Sequence, residues 1–388
     1  MQTIKNKLKL SLIFIVAVIF SATFFNFQTA LAENLSLTVY AGNRRYEFSG
    51  EELGYYNGRY YLKCLEGVVD KIYYDTLIAP VDAKVIFSPT KTEPFIFCHE
   101  KDGLGIYKQK LIDDINTALY GGKTKVLATF IPIKAKVMAS ELKKFTNLKS
   151  QFSTEYLYSS GERKHNIQLA VQKISGTVIK KGEVFSFNKI VGERTEENGF
   201  KNAVVIENGD YVDGVGGGVC QVSTTLYNCA LLSGIKVIER HAHSLAPSYV
   251  EPSFDAMVSG SVSDLKFIND TGGDLYIKGV ADGRRLTFVF YGEKSNTTYE
   301  RVSVILAETL PIDDEIVLDD DLYIGEKLLF RRAKNGIKSE GYLVCCQGDK
   351  IISKVKLHTD VYKPLRGIVK VGNKELENTD NLLIDNLA

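Results

Sequence analysis

Apolar and polar positions follow two different periods along this chain, and the changes of period mark its parts. Residues 10–25 form an apolar run broken only by Ser and Thr, preceded by Lys5, Lys7 and Lys9 and followed by Ala30-Leu31-Ala32. A positive start, an apolar stretch and a small-x-small site together predict a signal peptide over residues 1–32. The run also approaches the length of a membrane span, so an uncleaved anchor stays open as the alternative. Either way the remainder is expected outside the cytoplasm, touching the membrane only through this segment.

Residues 33–148 read as a first α+β domain. Period-two patterns at 35–40 and 46–48 predict paired strands, with further short strands at 84–87 and 95–98. Lys108–Tyr120 instead carries Leu111, Ile112, Ile115 and Leu119 at helical spacing and stops at Gly121-Gly122. Strand pattern returns over 126–133. From 149 to 292 strands dominate, at 185–187, 203–206, 266–268, 275–277 and 286–290, with hairpin signals at Asn208-Gly209 and Asp282-Gly283. One clear helix interrupts them over 220–232, where Val222, Leu226, Cys229 and Ala230 share a stripe and Gly234 offers a left-handed end. A second helix is expected over 167–174. After a polar linker, 299–372 is an all-β module with turns at Asn335-Gly336 and Gln347-Gly348, and 373–388 reads as a disordered tail. The fold class is α+β and multidomain: a strand-rich central domain carrying one central helix, and an all-β C-terminal module.

Composition adds little to this picture. A chain of 388 residues that is 45% hydrophobic and 24% charged, with charges cancelling to +1, is globular and gives no reason to expect a nucleic-acid partner. The acidic positions Asp313, Asp314, Glu315, Asp319, Asp320 and Asp321 read most simply as a solvated face, with a calcium site as the alternative.

The candidate chemistry sits where the central helix begins. Gly214, Gly216, Gly217 and Gly218 permit a sharp turn and a close approach to a ligand, and Cys220 follows directly. A cysteine at a helix mouth faces unpaired amides and the positive end of the dipole, which favours the thiolate. The amides of Cys220 and Gln221 could then hold an oxyanion, with Gly217, Gly218 and Ser223 completing the substrate loop. Residues 235–244 read as a strand that sets His241 and His243 on one face, two of only five histidines. The bland alternative is a small buried cysteine beside surface histidines. Six cysteines in an exported chain invite disulfides. Nine helical residues would put Cys220 and Cys229 roughly 13 Å apart, beyond the approximately 7 Å a bridge spans. Cys64 with Cys98 is possible, Cys345 and Cys346 point to opposite faces of a strand, and Cys220 is expected free. Arg163 and Asn166, at helical spacing, could meet a substrate's carboxylate and amide, or serve as a helix-start salt bridge and cap. A zinc site on His241, His243 and Asp255 lacks a third histidine, so no metal and no cofactor is expected.

These residues also carry a resemblance. Arg163 with Asn166, Gly182-Glu183-Val184-Phe185-Ser186-Phe187-Asn188, Val191-Gly192-Glu193-Arg194-Thr195, the glycine–cysteine motif, His243-Ser244, Asp255-Ala256 and Asp264-Leu265-Lys266-Phe267 resemble the VanW-domain family over about residues 153–292. The family tends to have proline where Lys181 stands, and a Pro-Gly turn where this chain has Pro252-Ser253-Phe254. What the resemblance implies is a cysteine L,D-transpeptidase of peptidoglycan, joining tetrapeptide stems through diaminopimelate. Cys220 would be the nucleophile, His243 the base in preference to His241, and Asp255 the group that orients it. Peptidoglycan muropeptides are then the partners. A wall carboxypeptidase or endopeptidase using water, and a non-catalytic wall-binding protein whose glycine loop cradles a carboxylate, are the alternatives. The first domain resembles the peptidoglycan-binding-like domain that often precedes a VanW domain, with a folded spacer as the alternative. The spacing of Gly325, Gly336, Gly348 and Gly372 resembles the five-glycine module of wall-associated proteins.

Overall fold

The structure is a computed structural model, and it describes residues 36–375 apart from 57, 58, 61, 208, 209 and 261. The leader over 1–32 and the tail beyond Glu375 lie outside the described residues. Among those described, the chain is strand-rich with six helices, and no helix is long and apolar enough to cross a membrane. The described residues divide into two compact units, one reaching Lys84 and taking in Phe97–Ala139, the other of Val85–Ile96 with the chain from Ser140 onward.

In the first unit Ser36–Ala41 lies between Arg44–Ser49, antiparallel, and Lys125–Leu127, parallel. Helix Lys108–Tyr120 forms as its periodicity predicts, burying Leu111 and Ile115. A second helix, Leu62–Thr76, was not anticipated, although Leu65, Val69 and Ile72 supply its apolar stripe. The strand expected over 126–133 is two strands, Lys125–Leu127 and Phe130–Ile133, in different sheets. They part at Ala128 and Thr129, whose backbone groups bond Tyr40 and Tyr107 instead. Cys64 and Cys98 are exposed and free, and so are unbridged.

The second unit is built on an antiparallel sheet in the order Asn147–Glu155, Arg285–Gly292, Leu275–Ala281, Val178–Ile179. Asp282-Gly283 makes its expected hairpin, with Gly283 at φ +89° and the amides of Arg284 and Arg285 both donating to the Asp282 carboxylate. Two helices pack on this sheet, Gly161–Ile174 and Val219–Leu232. The second is buried almost all round, from Gln221 through Leu231. Its polar side chains are therefore bonded rather than solvated, as burial requires. Thr225 Oγ1 meets Thr154 Oγ1 at 2.8 Å, Ser223 Oγ donates to the Ala256 carbonyl at 2.6 Å, and Asn228 Nδ2 to the Phe254 carbonyl at 2.7 Å. The helix thus serves as the unit's central post, and its polar groups grip the segment 254–256.

Two expectations here need correction. Phe187 opens a short helix, Phe187–Val191, because Ser186 caps it by accepting from the Lys189 amide. The strand expected over 235–244 ends at Glu239. In the C-terminal part, Thr298–Thr309, Gly336–Gln347 and Lys350–Tyr362 form one antiparallel sheet, with Gly348 at φ +58° in the last turn. Asn335-Gly336 is not a hairpin. Lys327–Arg331 before it pairs with Ile368–Lys374 in a separate sheet, so the turn passes between sheets. That last strand also takes up Asn373 and Lys374 from the expected tail.

Candidate active site

The glycine loop ends with Gly218 as the N-terminal residue of the central helix, at φ +102° and with no side chain to cap it. A Cβ at Gly217 would come within 2.6 Å of the Val204 carbonyl, so only glycine fits this close approach. Asn166, fully buried, staples the loop: its Nδ2 donates to the Lys201 carbonyl at 2.9 Å and the Gly217 carbonyl at 3.0 Å, and its Oδ1 accepts from the Lys201 amide. It is therefore occupied by backbone rather than facing a ligand. Ser223 is likewise buried against Ala256. The Gln221 amide is bonded to the Gly218 carbonyl at 3.0 Å, so of the two amides expected to hold an oxyanion the Cys220 amide remains.

Cys220 is half-buried at the helix mouth, with Sγ 3.4 Å from the Val258 carbonyl, and the His243 ring acts on it electrostatically. His243 is buried, and its Nδ1 lies 2.6 Å from Asp255 Oδ2. An ionised carboxylate only accepts, so Nδ1 carries the proton and Nε2 is the nitrogen left for sulfur. The electrostatics follow. Burial pushes the Cys220 thiol up, but His243, with Arg194 behind it, holds it below its ordinary value. His243 behaves in mirror image. Burial lowers its pKa, while Asp255 and Cys220 outweigh burial and push it up to about 10. Burial also raises Asp255, and His243 with Arg240 brings it below the usual carboxylate range. His241, by contrast, turns its Nε2 to Glu239 at 3.2 Å. The two histidines do not share a face, because the strand has ended before them. Among the described residues no three His, Cys, Asp or Glu side chains group as metal ligands.

Cys220 and His243 line a cavity of about 470 Å³ together with Gly216, Gly217, Gly218 and Tyr249. Two guanidiniums line it as well. Arg163 Nη1 donates to Ser159 and Nη2 to Gln221 Oε1, at 2.6 and 2.8 Å, while Ser160 caps the helix in its place. Arg194 Nη2 donates to Asn188 Oδ1 at 2.6 Å. Among the described residues neither forms a salt bridge with a carboxylate. Burial lowers the pKa of both, and the Cys220 charge works against that shift. The cavity can therefore take a carbonyl beside sulfur and an anion beside the arginines. Arg194 lies within a motif visible in the sequence, but no spacing assigned it a role. Arg240, the cation on Asp255 Oδ1 at 2.8 Å, gave no signal beyond its position three residues before His243.

Cys220, His243 and Asp255 thus come together at one helix mouth, beside the cavity. Residues 162–291 match the family described as VanW like protein. The chain is 31% identical over 229 residues to the uncharacterized protein YoaR of Bacillus subtilis, covering 58% of this chain and 76% of the relative. It is 30% identical over 135 residues to the vancomycin B-type resistance protein VanW of Enterococcus faecalis, covering 33% of this chain and 49% of the relative. The chain belongs to the VanW-like family. A solved G5 domain of an IgA1 protease aligns with 20% of the chain and 90% of its own length at 22% identity, with a TM-score of 0.14, too low to bear on the fold.

Proposed function

We propose that this chain is a peptidoglycan L,D-transpeptidase working outside the cytoplasm, with Cys220 as nucleophile. The observation that carries the reading is Cys220 at the helix mouth, sharing a cavity with a His243 ring that Asp255 holds at 2.6 Å. The lowered thiol and raised imidazole favour the thiolate–imidazolium pair that attack on a carbonyl needs. The thiolate adds to the carbonyl at the L-centre of diaminopimelate in a tetrapeptide stem, and the Cys220 amide with the positive helix end receives the oxyanion. Collapse breaks the bond to D-alanine, whose nitrogen leaves with the proton from His243. A side-chain amine of another stem then gives a proton to His243 and attacks the thioester, forming the cross-link and returning the thiolate.

Arg163 and Arg194 support a substrate with a free carboxylate near the scissile bond, since two half-buried cations without carboxylate partners favour one. Kinship with a vancomycin-resistance protein supports a place at the cell wall. The direct test incubates the chain from Glu33 onward with disaccharide-tetrapeptide and reads products by mass spectrometry. A dimer lighter by one D-alanine, absent with Cys220→Ala, is expected. Tripeptide without dimer would make water the acceptor. Binding without turnover would leave a wall-binding protein.

A further inference from the structure

The Asp255 carboxylate accepts four hydrogen bonds. The amide and Nδ1 of His243 reach Oδ2 at 2.7 and 2.6 Å, while Arg240 Nη2 and the Tyr362 hydroxyl reach Oδ1 at 2.8 and 2.6 Å. A carboxylate offers about four such positions, so this one is full. Tyr362 is 1% exposed and ends strand Lys350–Tyr362, well beyond the residues matched to the family. Two residues earlier on that strand, both oxygens of Asp360 accept from Arg240 Nη1, at 2.8 and 2.9 Å. Arg240 Nε in turn donates to the Asp255 carbonyl at 2.6 Å.

The turn leading into Asp255 is held from the same side. Ser253 has φ +68°, the one positive value at a non-glycine residue among those described. It lies in a region that side chains rarely adopt. Its amide donates to the Tyr362 oxygen at 2.7 Å and its hydroxyl pairs with Ser339 Oγ at 2.7 Å, both on C-terminal strands.

We propose that the C-terminal β-module completes the catalytic centre, with Tyr362 and Asp360 as positioning residues that set the orientation and the net charge of Asp255 behind His243. This rests on the Cys220–His243–Asp255 reading. Asp255 and Asp360 place two negative charges around Arg240, the cation that both contact, and so surround the imidazolium's carboxylate with further negative charge. Other groups face this set from each neighbouring element. The central helix contributes Cys220 and Tyr227, the latter sharing a hydrogen bond of 3.1 Å with His358 Nε2. His358 Nδ1 lies 3.0 Å from Asp360. Tyr249 faces the thiol from the segment after His243, Arg163 and Arg194 face it from the cavity, and Glu251 is drawn off to Arg301 at 3.4 Å. Neutralising Asp360 would leave Arg240 wholly to Asp255 and reduce the negative charge that supports the imidazolium.

The test measures, in the full-length protein, the pH dependence of Cys220 alkylation by iodoacetamide, followed by intact mass, with melting temperature alongside. Wild type should react with a midpoint below that of free cysteine. Asp360→Asn should move that midpoint up by about one unit, a roughly tenfold loss of thiolate in the rising limb. Asp360→Glu, which keeps the charge, should hold the wild-type midpoint even if it melts earlier. Tyr362→Phe changes no charge and should keep the midpoint while lowering kcat about tenfold with KM unchanged, the loss of one hydrogen bond to a charged group. A wild-type midpoint equal to that of free cysteine would remove the catalytic line itself. A depressed wild-type midpoint that Asp360→Asn leaves in place, with kcat intact in Tyr362→Phe, would keep the line and overturn the role of the module. If Asp360→Asn fails to fold, kcat in Tyr362→Phe decides alone.

Discussion

Cys220 and Cys229 stand toward opposite ends of one helix, and the protein shifts the same thiol in opposite directions at the two ends. Cys229 is fully buried, with Sγ 3.2 Å from Ser150 Oγ and 3.4 Å from the Phe288 carbonyl. Burial pushes its thiol up to about 12, and the hydrogen bond from Ser150 offsets only part of that. Cys220 also suffers desolvation, yet His243 and Arg194 reverse the sign of the shift. Burial alone therefore does not set the direction of the shift. What decides it is whether a cation shares the burial, because a low dielectric strengthens an ion pair as much as it penalises a lone charge.

The largest effect should come from removing each sulfur in turn. Cys220→Ala is expected to reduce dimer formation to background, while Cys229→Ala retains most of it at equal concentrations of folded protein. Equal losses from the two would erase the contrast and make both packing residues. The next effect is in pH. The depressed Cys220 thiol supplies thiolate above its own pKa, so transfer should rise with its midpoint below the roughly 8.5 of free cysteine. The raised His243 loses its proton as pH climbs through about 10, so transfer should fall again there. A single rise near the free-thiol value in a kcat/KM profile would deny that His243 partners the sulfur.

Smaller in size is the contribution of the cavity arginines. Arg194→Gln should raise KM for disaccharide-tetrapeptide by roughly 10- to 100-fold, the worth of one charge-assisted hydrogen bond. It should also move the alkylation midpoint of Cys220 upward, since Arg194 helps to hold the thiolate. An unchanged KM would take the carboxylate away from this arginine. The smallest effect belongs to the other end of the helix. Cys229→Ala removes a buried sulfur with three polar contacts and should cost about 1–2 kcal/mol in denaturant unfolding. Iodoacetamide should leave Cys229 unmodified in the native protein, and rapid labelling there would show that this end opens.

The amino-acid sequence by itself determined whatever depends on neighbours along the chain. Helix Lys108–Tyr120 and the central helix follow from apolar spacing, and the Asp282-Gly283 hairpin follows from turn chemistry that Gly283 alone satisfies. The glycine loop before Cys220 was legible for the same reason. Tertiary structure decided the rest, because periodicity shows which face is apolar but not which surface will cover it. Asn335-Gly336 has the composition of a hairpin, yet its flanking strands found better partners in two separate sheets. His241 and His243 look alike in sequence, and only the end of the strand at Glu239 sent one to Glu239 and the other to Asp255. Asn166, at helical spacing from Arg163, proved to hold the glycine loop rather than a ligand. Farthest from view was Tyr362, 107 residues from the carboxylate it bonds, since no local pattern specifies a contact made by packing two remote segments together.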